Sequence, residues 1–287
     1  PGTVNREKLA AYRSLGVNRI SMGVQSFHED ELKFLSRIHT SDEAIQCAGM
    51  LKEVGFKNFS IDLIYALPGQ TTERWLSNLE QAMKLEPPHI SAYGLIVEDG
   101  TPLARMVLSK QVSPVPSDDE AGLYEMTMDF LARHGYEHYE VSNYAKPGFR
   151  SIHNYNYWTH GGYLGFGPSA HSFWNGELTD NLPQRWWNIA NISHYCEKLQ
   201  RKELPLVSSE QLSANDLFTE RILLGLRSDG VDLKRLKRDF PAKSFDATDD
   251  IIRQLVHDQL ATIEHESLCL TSRGYLLCDE VCMKLIG

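Results

Sequence analysis

Two stretches of this chain alternate apolar and polar positions with period two, and in both the polar positions share one face. In Asn18–Gln25, Ile20, Met22 and Val24 fall on one side, and Ser21, Gly23 and Gln25 on the other. In Phe59–Tyr65, Phe59, Ile61, Leu63 and Tyr65 oppose Ser60, Asp62 and Ile64. A helical pattern follows each, which predicts parallel strands covered by helices, where both faces are normally apolar. A carboxylate inside such a strand is costly unless something hydrogen-bonds it. A sheet curling toward a barrel would turn the small and polar faces inward around a wet cavity. The pattern therefore points to a site for a polar ligand.

The rest of residues 1–97 continues the alternation. Helices are expected over Arg6–Leu15 and over Glu29–Leu35, the second opened by Ser26 or His28. Ser41 reads as the N-cap of a helix that buries Ala44, Ile45, Ala48, Leu51 and Val54 and stops at Gly55. The helix Thr72–Lys84 presents Trp75, Leu76, Leu79, Ala82 and Met83, and Pro87-Pro88 precedes a third strand over His89–Val97. Repeated strand–helix units imply right-handed crossovers and a parallel sheet or barrel.

Residues 98–118 carry turn signals and read as surface connections, followed by a helix over Asp118–His134 and a strand over Glu137–Asn143. Lys146–Gly176 is rich in glycine, aromatic residues and histidine without clear periodicity, and a helix is expected over Arg185–Lys202. The C-terminal part predicts helices over Ser213–Leu226, Asp232–Asp239 and Asp249–His257, short strands near Ala261–Glu264 and Leu268–Thr271, and a last helix to Leu285. Three helices and a hairpin suggest a winged-helix-like module. The expected domains are 1–117, 118–205 and 206–287.

Composition narrows the function. A net charge of −9 argues against nucleic acid as the main partner. In the winged-helix-like part Lys234, Arg235, Lys237 and Arg238 are interleaved with Asp229, Asp232 and Asp239, which favours packing or docking over DNA. No apolar run approaches the roughly 20 residues of a membrane span. The five cysteines are odd in number and mostly lie in apolar helical patterns, which suits a reducing cytoplasm. Cys278 and Cys282 are one helical turn apart and read as core neighbours.

The blocks GVNRISMGVQSF (16–27), LKFLSRIHT (32–40) and SIDLIYALPGQT (60–71) resemble, in that order, the second half of the radical S-adenosylmethionine (radical SAM) barrel. The resemblance is to the branch of oxygen-independent coproporphyrinogen III oxidases and the HemW heme chaperones, and it runs from Pro1 to Gly287. It implies an α/β fold: the second half of an open radical SAM barrel, an α+β extension and a small winged-helix-like C-terminal domain. It also assigns Gln25 and Asp62 to the ribose hydroxyls of S-adenosylmethionine and Arg37 to the methionine carboxylate. An amide with a carboxylate suits a vicinal diol, and a guanidinium suits a carboxylate. Read without the motif, Gln25 and Asp62 are equally well satisfied polar residues at strand ends. Gly94 either lets the backbone approach the adenine or relieves crowding in its strand. His39, beside Arg37, reads as a structural loop histidine.

Pro1-Gly2-Thr3-Val4 resembles the tail of the family's E-x-N-P motif. Upstream of it the family carries a C-x3-C-x2-C loop for a [4Fe–4S] cluster and a Gly-rich motif for the methionine amino group. The expectation is an N-terminally truncated piece, with the cluster cysteines upstream of Pro1, no metal site of its own and no cluster-dependent activity. Five of the eleven histidines lie between His134 and Trp174. There the H-N-x-x-Y-W block (His153–Trp158) resembles the HemW pattern, and the resemblance makes His153, Tyr157 and Trp158 candidate heme contacts. The G-x-G-x-S-A-H-S block (Gly165–Ser172) adds His171 as a second candidate ligand. On residue types alone, such an aromatic segment equally well packs over a barrel end. The resemblance implies heme or a porphyrin as ligand, with an unidentified heme-acceptor protein as partner. The alternative is the oxidative decarboxylation of coproporphyrinogen III.

Overall fold

The strand–helix alternation of the first 97 residues is realised as α1 (Arg6–Ser14), β1 (Arg19–Gln25), α2 (Glu29–Phe34), α3 (Ser41–Val54), β2 (Asn58–Tyr65), α4 (Thr72–Lys84) and β3 (His89–Gly94). β1 pairs with β2 and β2 with β3, all parallel. α3 begins one residue earlier than its apolar stripe suggests. Thr40 is the N-cap and forms a reciprocal capping box with Glu43, and Gly55 ends the helix in the left-handed region at φ 91°. Cys47 joins the buried face of α3, whereas Ile45 is exposed.

Residues 98–118 are not only connections. Thr101 caps and Pro102 opens α5 (Pro102–Leu108), a start that fits proline's missing N–H and fixed φ. After α6 (Ser117–Arg133), the expected single strand is a hairpin of β4 (Glu137–Glu140) and β5 (Asn143–Ala145). β5 runs antiparallel to β3, giving a five-stranded sheet in the order β1-β2-β3-β5-β4. Its helix-covered face is apolar: Met22, Val24, Phe59, Ile61, Leu63 and Ile90 are almost fully buried.

These elements form one unit, Pro1–Arg150, and Ser151–Gly287 form a second. The computed structural model describes residues 1–176, 182–242 and 245–287. The second unit opens with α7 (Ile152–Trp158), β6 (His171–Trp174) and β7 (Gln184–Asn188), then α8 (Ile192–Gln200) and β8 (Leu206–Gln211). The helix expected over Arg185–Lys202 is thus a strand followed by a shorter helix. β7 pairs antiparallel with β6 on one side and β8 on the other, and this non-local pairing overrides a stripe that reads as helical.

The C-terminal part contains α9 (Ala214–Leu226), β9 (Val231–Asp232), α10 (Leu233–Asp239), α11 (Asp246–His257), β10 (Ala261–Glu264), β11 (Ser267–Leu270), α12 (Ser272–Leu276) and α13 (Cys278–Ile286). Helices α9, α10 and α11 with a sheet ordered β10-β11-β9 match the expected winged-helix-like module, to which α12 and α13 are added. Cys278 and Cys282 lie in its apolar core with Phe218, Leu226 and Leu268. The basic residues of α10 pair with carboxylates: Lys237 with Asp249, Arg235 and Arg238 with Asp239, and Lys234 with Glu266. Among the described residues no helix is long and apolar enough to cross a membrane.

Candidate functional site

The opposite face of the first unit's sheet is polar from β1 to β4. Ser21 and Asp62 meet across the strands, the Ser21 hydroxyl donating to both carboxylate oxygens at 3.0 and 2.8 Å. Ser60 donates to Asp62 at 2.9 Å and also lies 2.8 Å from Nδ1 of His89, whose Nε2 is 2.7 Å from the Tyr139 hydroxyl. Burial drives the His89 pKa down to about 3, with Arg19 adding to the effect, so the imidazole is neutral at ordinary pH.

Gln25 reaches this face through a backbone irregularity. The β1–β2 register slips between Gly23 and Gln25, and Gln25 has φ 70°. Its side chain curls back so that Nε2 lies only 2.7 Å from where a Cβ on Gly23 would stand. Gly23 is the register partner of Asp62, so the Gln25 amide and the Asp62 carboxylate share the face. A Cβ at Gly23 would push the Gln25 amide, the far end of a flexible side chain, out of this position.

Arg37 is exposed in the loop between α2 and α3. That loop is tied to β1 by the buried His39, whose Nε2 is 3.1 Å from the Val24 carbonyl oxygen, as the structural reading of His39 anticipated. Gly94 falls on the other face: a Cβ there would meet Glu120 at 2.9 Å and Tyr65 at 3.4 Å. Its bareness therefore serves helix packing, and the missing side chain clears no space on the Asp62 face.

Farther along the polar face, Ser91, Asn143 and Glu140 are in register across β3, β5 and β4. Glu140 is 1% exposed and Asn143 3%, and Glu140 Oε1 and Asn143 Oδ1 have no hydrogen-bond partner among the described residues. Burial raises the Glu140 carboxyl to about 7, against opposing hydrogen bonds from Asn143 and the backbone of Ser142 and Asn143. Glu140, Asn143, His89 and Tyr139 carry no signal along the chain, because the pairing of β3 with the β4–β5 hairpin brings them together. A buried carboxylate fixes the β1 end of the face. Glu31 accepts from Ser26 (2.5 Å), Asn78 (3.0 Å), Arg74 (3.1 Å) and Gln70 (3.2 Å), joining the loop after β1 to α4.

In the second unit, α7 presents His153, Tyr157 and Trp158. His153 is exposed, and its Nε2 is 3.0 Å from the Tyr157 hydroxyl one turn on, with the rings edge to face. Tyr157 also packs edge-on against Tyr163, and Trp158 is half-buried. His171, on β6, is exposed and stacks on Trp187. Just beyond α7, the buried His160 lies flat on Phe173, with centroids 4.6 Å apart, and reaches Glu220 of α9 at 2.9 Å. Glu220 also holds Arg185 of β7, at 2.8 and 2.9 Å. Apolar residues, among them Leu164, Phe166, Trp186 and Leu204, line a separate slot of about 470 Å³ without an imidazole in its wall.

The family model of the radical SAM superfamily matches residues 1–82, and that of the HemN C-terminal domain matches 212–277. The heme chaperone HemW of Bacillus subtilis (strain 168) is 32% identical over 288 residues, covering the whole of this chain and 74% of the relative. That of Lactococcus lactis (strain IL1403) is 34% identical over 291 residues, covering 73% of the relative. The chain belongs to the HemW family of radical SAM proteins. The solved structure of coproporphyrinogen III oxidase (HemN) from Escherichia coli superposes with a TM-score of 0.78 over 99% of this chain and 67% of that one, at 20% identity. That likeness establishes the fold alone. It makes the first sheet the second half of an open radical SAM barrel, followed by the α+β extension and the winged-helix-like domain.

The polar face fits the S-adenosylmethionine of this family. A carboxylate has about four lone-pair sites; Ser21 and Ser60 supply one proton each, which leaves room for a vicinal diol. The cluster does not fit the residues present: among those described, no three or more His, Cys, Asp or Glu side chains are grouped to hold a metal ion.

Proposed function

We propose that this HemW-family chain binds heme in its second unit and S-adenosylmethionine on the polar face of its first, and that it passes the heme to an acceptor protein. The observation that carries the reading is identity of 32–34% with curated heme chaperones along the full length of this chain. In the heme site, exposed His153 offers its ring to iron, and Tyr157, held to it by hydrogen bond, sets the ring's orientation. His171 is the alternative axial ligand, and Tyr157 and Trp158 present aromatic surface to the macrocycle. In the S-adenosylmethionine site, Asp62 and Gln25 hold the ribose and Arg37 meets the methionine carboxylate. A [4Fe–4S] cluster of the radical SAM kind would supply an electron for cleaving the sulfonium; among the described residues no side chains are grouped to hold it. Five free cysteines suit work in the cytoplasm.

The test separates the two ligands. Heme titration of the full chain should give a Soret band that His153→Ala shifts and weakens about tenfold in affinity, whereas Asp62→Asn leaves it alone. Calorimetry with S-adenosylmethionine should show the converse. An unchanged Soret spectrum and heme affinity in His153→Ala removes His153 from the site. A protein that ignores heme and decarboxylates coproporphyrinogen III would replace this reading with the oxidase one.

A further inference from the structure

Beside Tyr157, and within the second unit, lies a cavity of about 270 Å³ whose charged lining does not balance. Two guanidinium groups, Arg185 and Arg227, face it with a single carboxylate, Glu220. Glu220 is committed: both its oxygens accept from Arg185, and one lies 2.9 Å from His160. Arg185 is further satisfied by Glu210 at 3.1 Å. Arg227 is the surplus charge. Its Nη1 donates to the Leu223 carbonyl at 3.1 Å, and its one carboxylate partner among the described residues, Asp279 at 2.5 Å, is outside the cavity and 84% exposed. The Arg227 side chain itself is only 27% exposed, so an anion entering the cavity meets a partly desolvated cation whose counter-ion stands in solvent, where screening weakens the pair.

Size and surface restrict what enters. The volume falls just below the ~300–1,000 Å³ of sites that enclose a whole drug-sized molecule. It admits an arm of a larger ligand, not the ring. Tyr157, Tyr163 and Phe173 give the cavity an aromatic wall that would pack against the methylenes of such an arm. Tyr157 belongs to the same helix as His153, so an arm entering here leaves its ring against α7.

We propose that this cavity is a carboxylate subsite in which Arg227 receives a propionate-type arm of the tetrapyrrole held against α7. The inference rests on the heme reading above and adds the group by which the ligand is oriented. Guanidinium–carboxylate pairing is directional, so the subsite favours a ring bearing free acids over its ester.

The experiment compares hemin with hemin dimethyl ester on the full chain, using the ratio of the two affinities, which cancels any general loss of folded protein. The wild type should prefer the free acid by about tenfold or more, and Arg227→Gln should remove most of that preference while still binding the ester as the wild type does. Asp279→Asn, which removes the competing carboxylate, should enlarge the preference. An Arg227→Gln protein that binds heme with the wild-type acid-to-ester ratio overturns the subsite and leaves the heme reading standing. A wild type that binds neither form overturns the heme reading and the subsite with it.

Discussion

Replacing Glu140 with glutamine removes an ionisation that the fold opposes, and the consequence for stability has a definite sign. Glu140 is 1% exposed, and burial lifts its carboxyl from an ordinary 4.5 to about 7. In the unfolded chain the group loses its proton near the ordinary value; in the folded protein it keeps the proton until about 7. Between those limits the unfolded state binds fewer protons, so rising pH favours unfolding. At ~1.4 kcal/mol per pH unit, the wild type gives up roughly 3 kcal/mol by pH 8 through this one group. The Glu140→Gln protein carries no such cost. The two proteins should differ by a small constant at pH 4.5–5, and the difference should grow by about 3 kcal/mol in favour of the variant by pH 8. For a domain of this size that is roughly 6–12 °C in melting temperature. Thermal unfolding of both proteins at pH 5, 6, 7 and 8 reads the difference directly, and every other titrating group cancels in it. Melting curves that stay parallel across the range would refute the assignment of a raised, burial-dominated carboxyl.

Glu31→Ala should destabilise the first unit by about 2–3 kcal/mol, read from urea midpoints, because Arg74, Asn78 and Ser26 all lose a buried acceptor; the estimate is below that for a fully buried pair since Arg74 is one-third exposed and keeps Asp30. Gly165→Ala should cost about 1–3 kcal/mol, because its Cβ would overlap the His171 carbonyl and spread the loop from β6; an unchanged melting temperature would show that the loop yields freely.

The legible parts of this fold are those whose signals are local. Ser21, Asp62 and Gln25 declare a polar face by alternation alone, and α4 runs from Thr72 to Lys84 as its apolar spacing requires. The misread parts are those decided by partners far away in the chain. Trp186 and Trp187 sit in a strand because β6 and β8 flank them, while the helical spacing of Ile192, Tyr195 and Leu199 belongs to α8 just after them. A break at Val141 and Ser142 turns an apparent single strand into β4 and β5, and with it places Glu140 opposite Asn143. The candidate site divides the same way. The resemblance names Gln25, Arg37 and Asp62, yet the positive φ that aims Gln25, and the face on which Gly94 lies, emerge only once the strands are paired.

The row of groups behind Asp62 has one further implication, which concerns where its protons stand. A carboxylate only accepts, so the Ser60 hydroxyl spends its single proton on Asp62. His89 Nδ1, 2.8 Å from the same oxygen, must then be the protonated nitrogen, which leaves Nε2 bare to accept from Tyr139. Every bond in the series thus points one way, from Tyr139 on β4 to Asp62 on β2, and the imidazole is locked in a single tautomer. Reversing any member requires reversing all of them. A ligand hydroxyl that arrives at Asp62 therefore meets a carboxylate whose two serine donors are already committed to it.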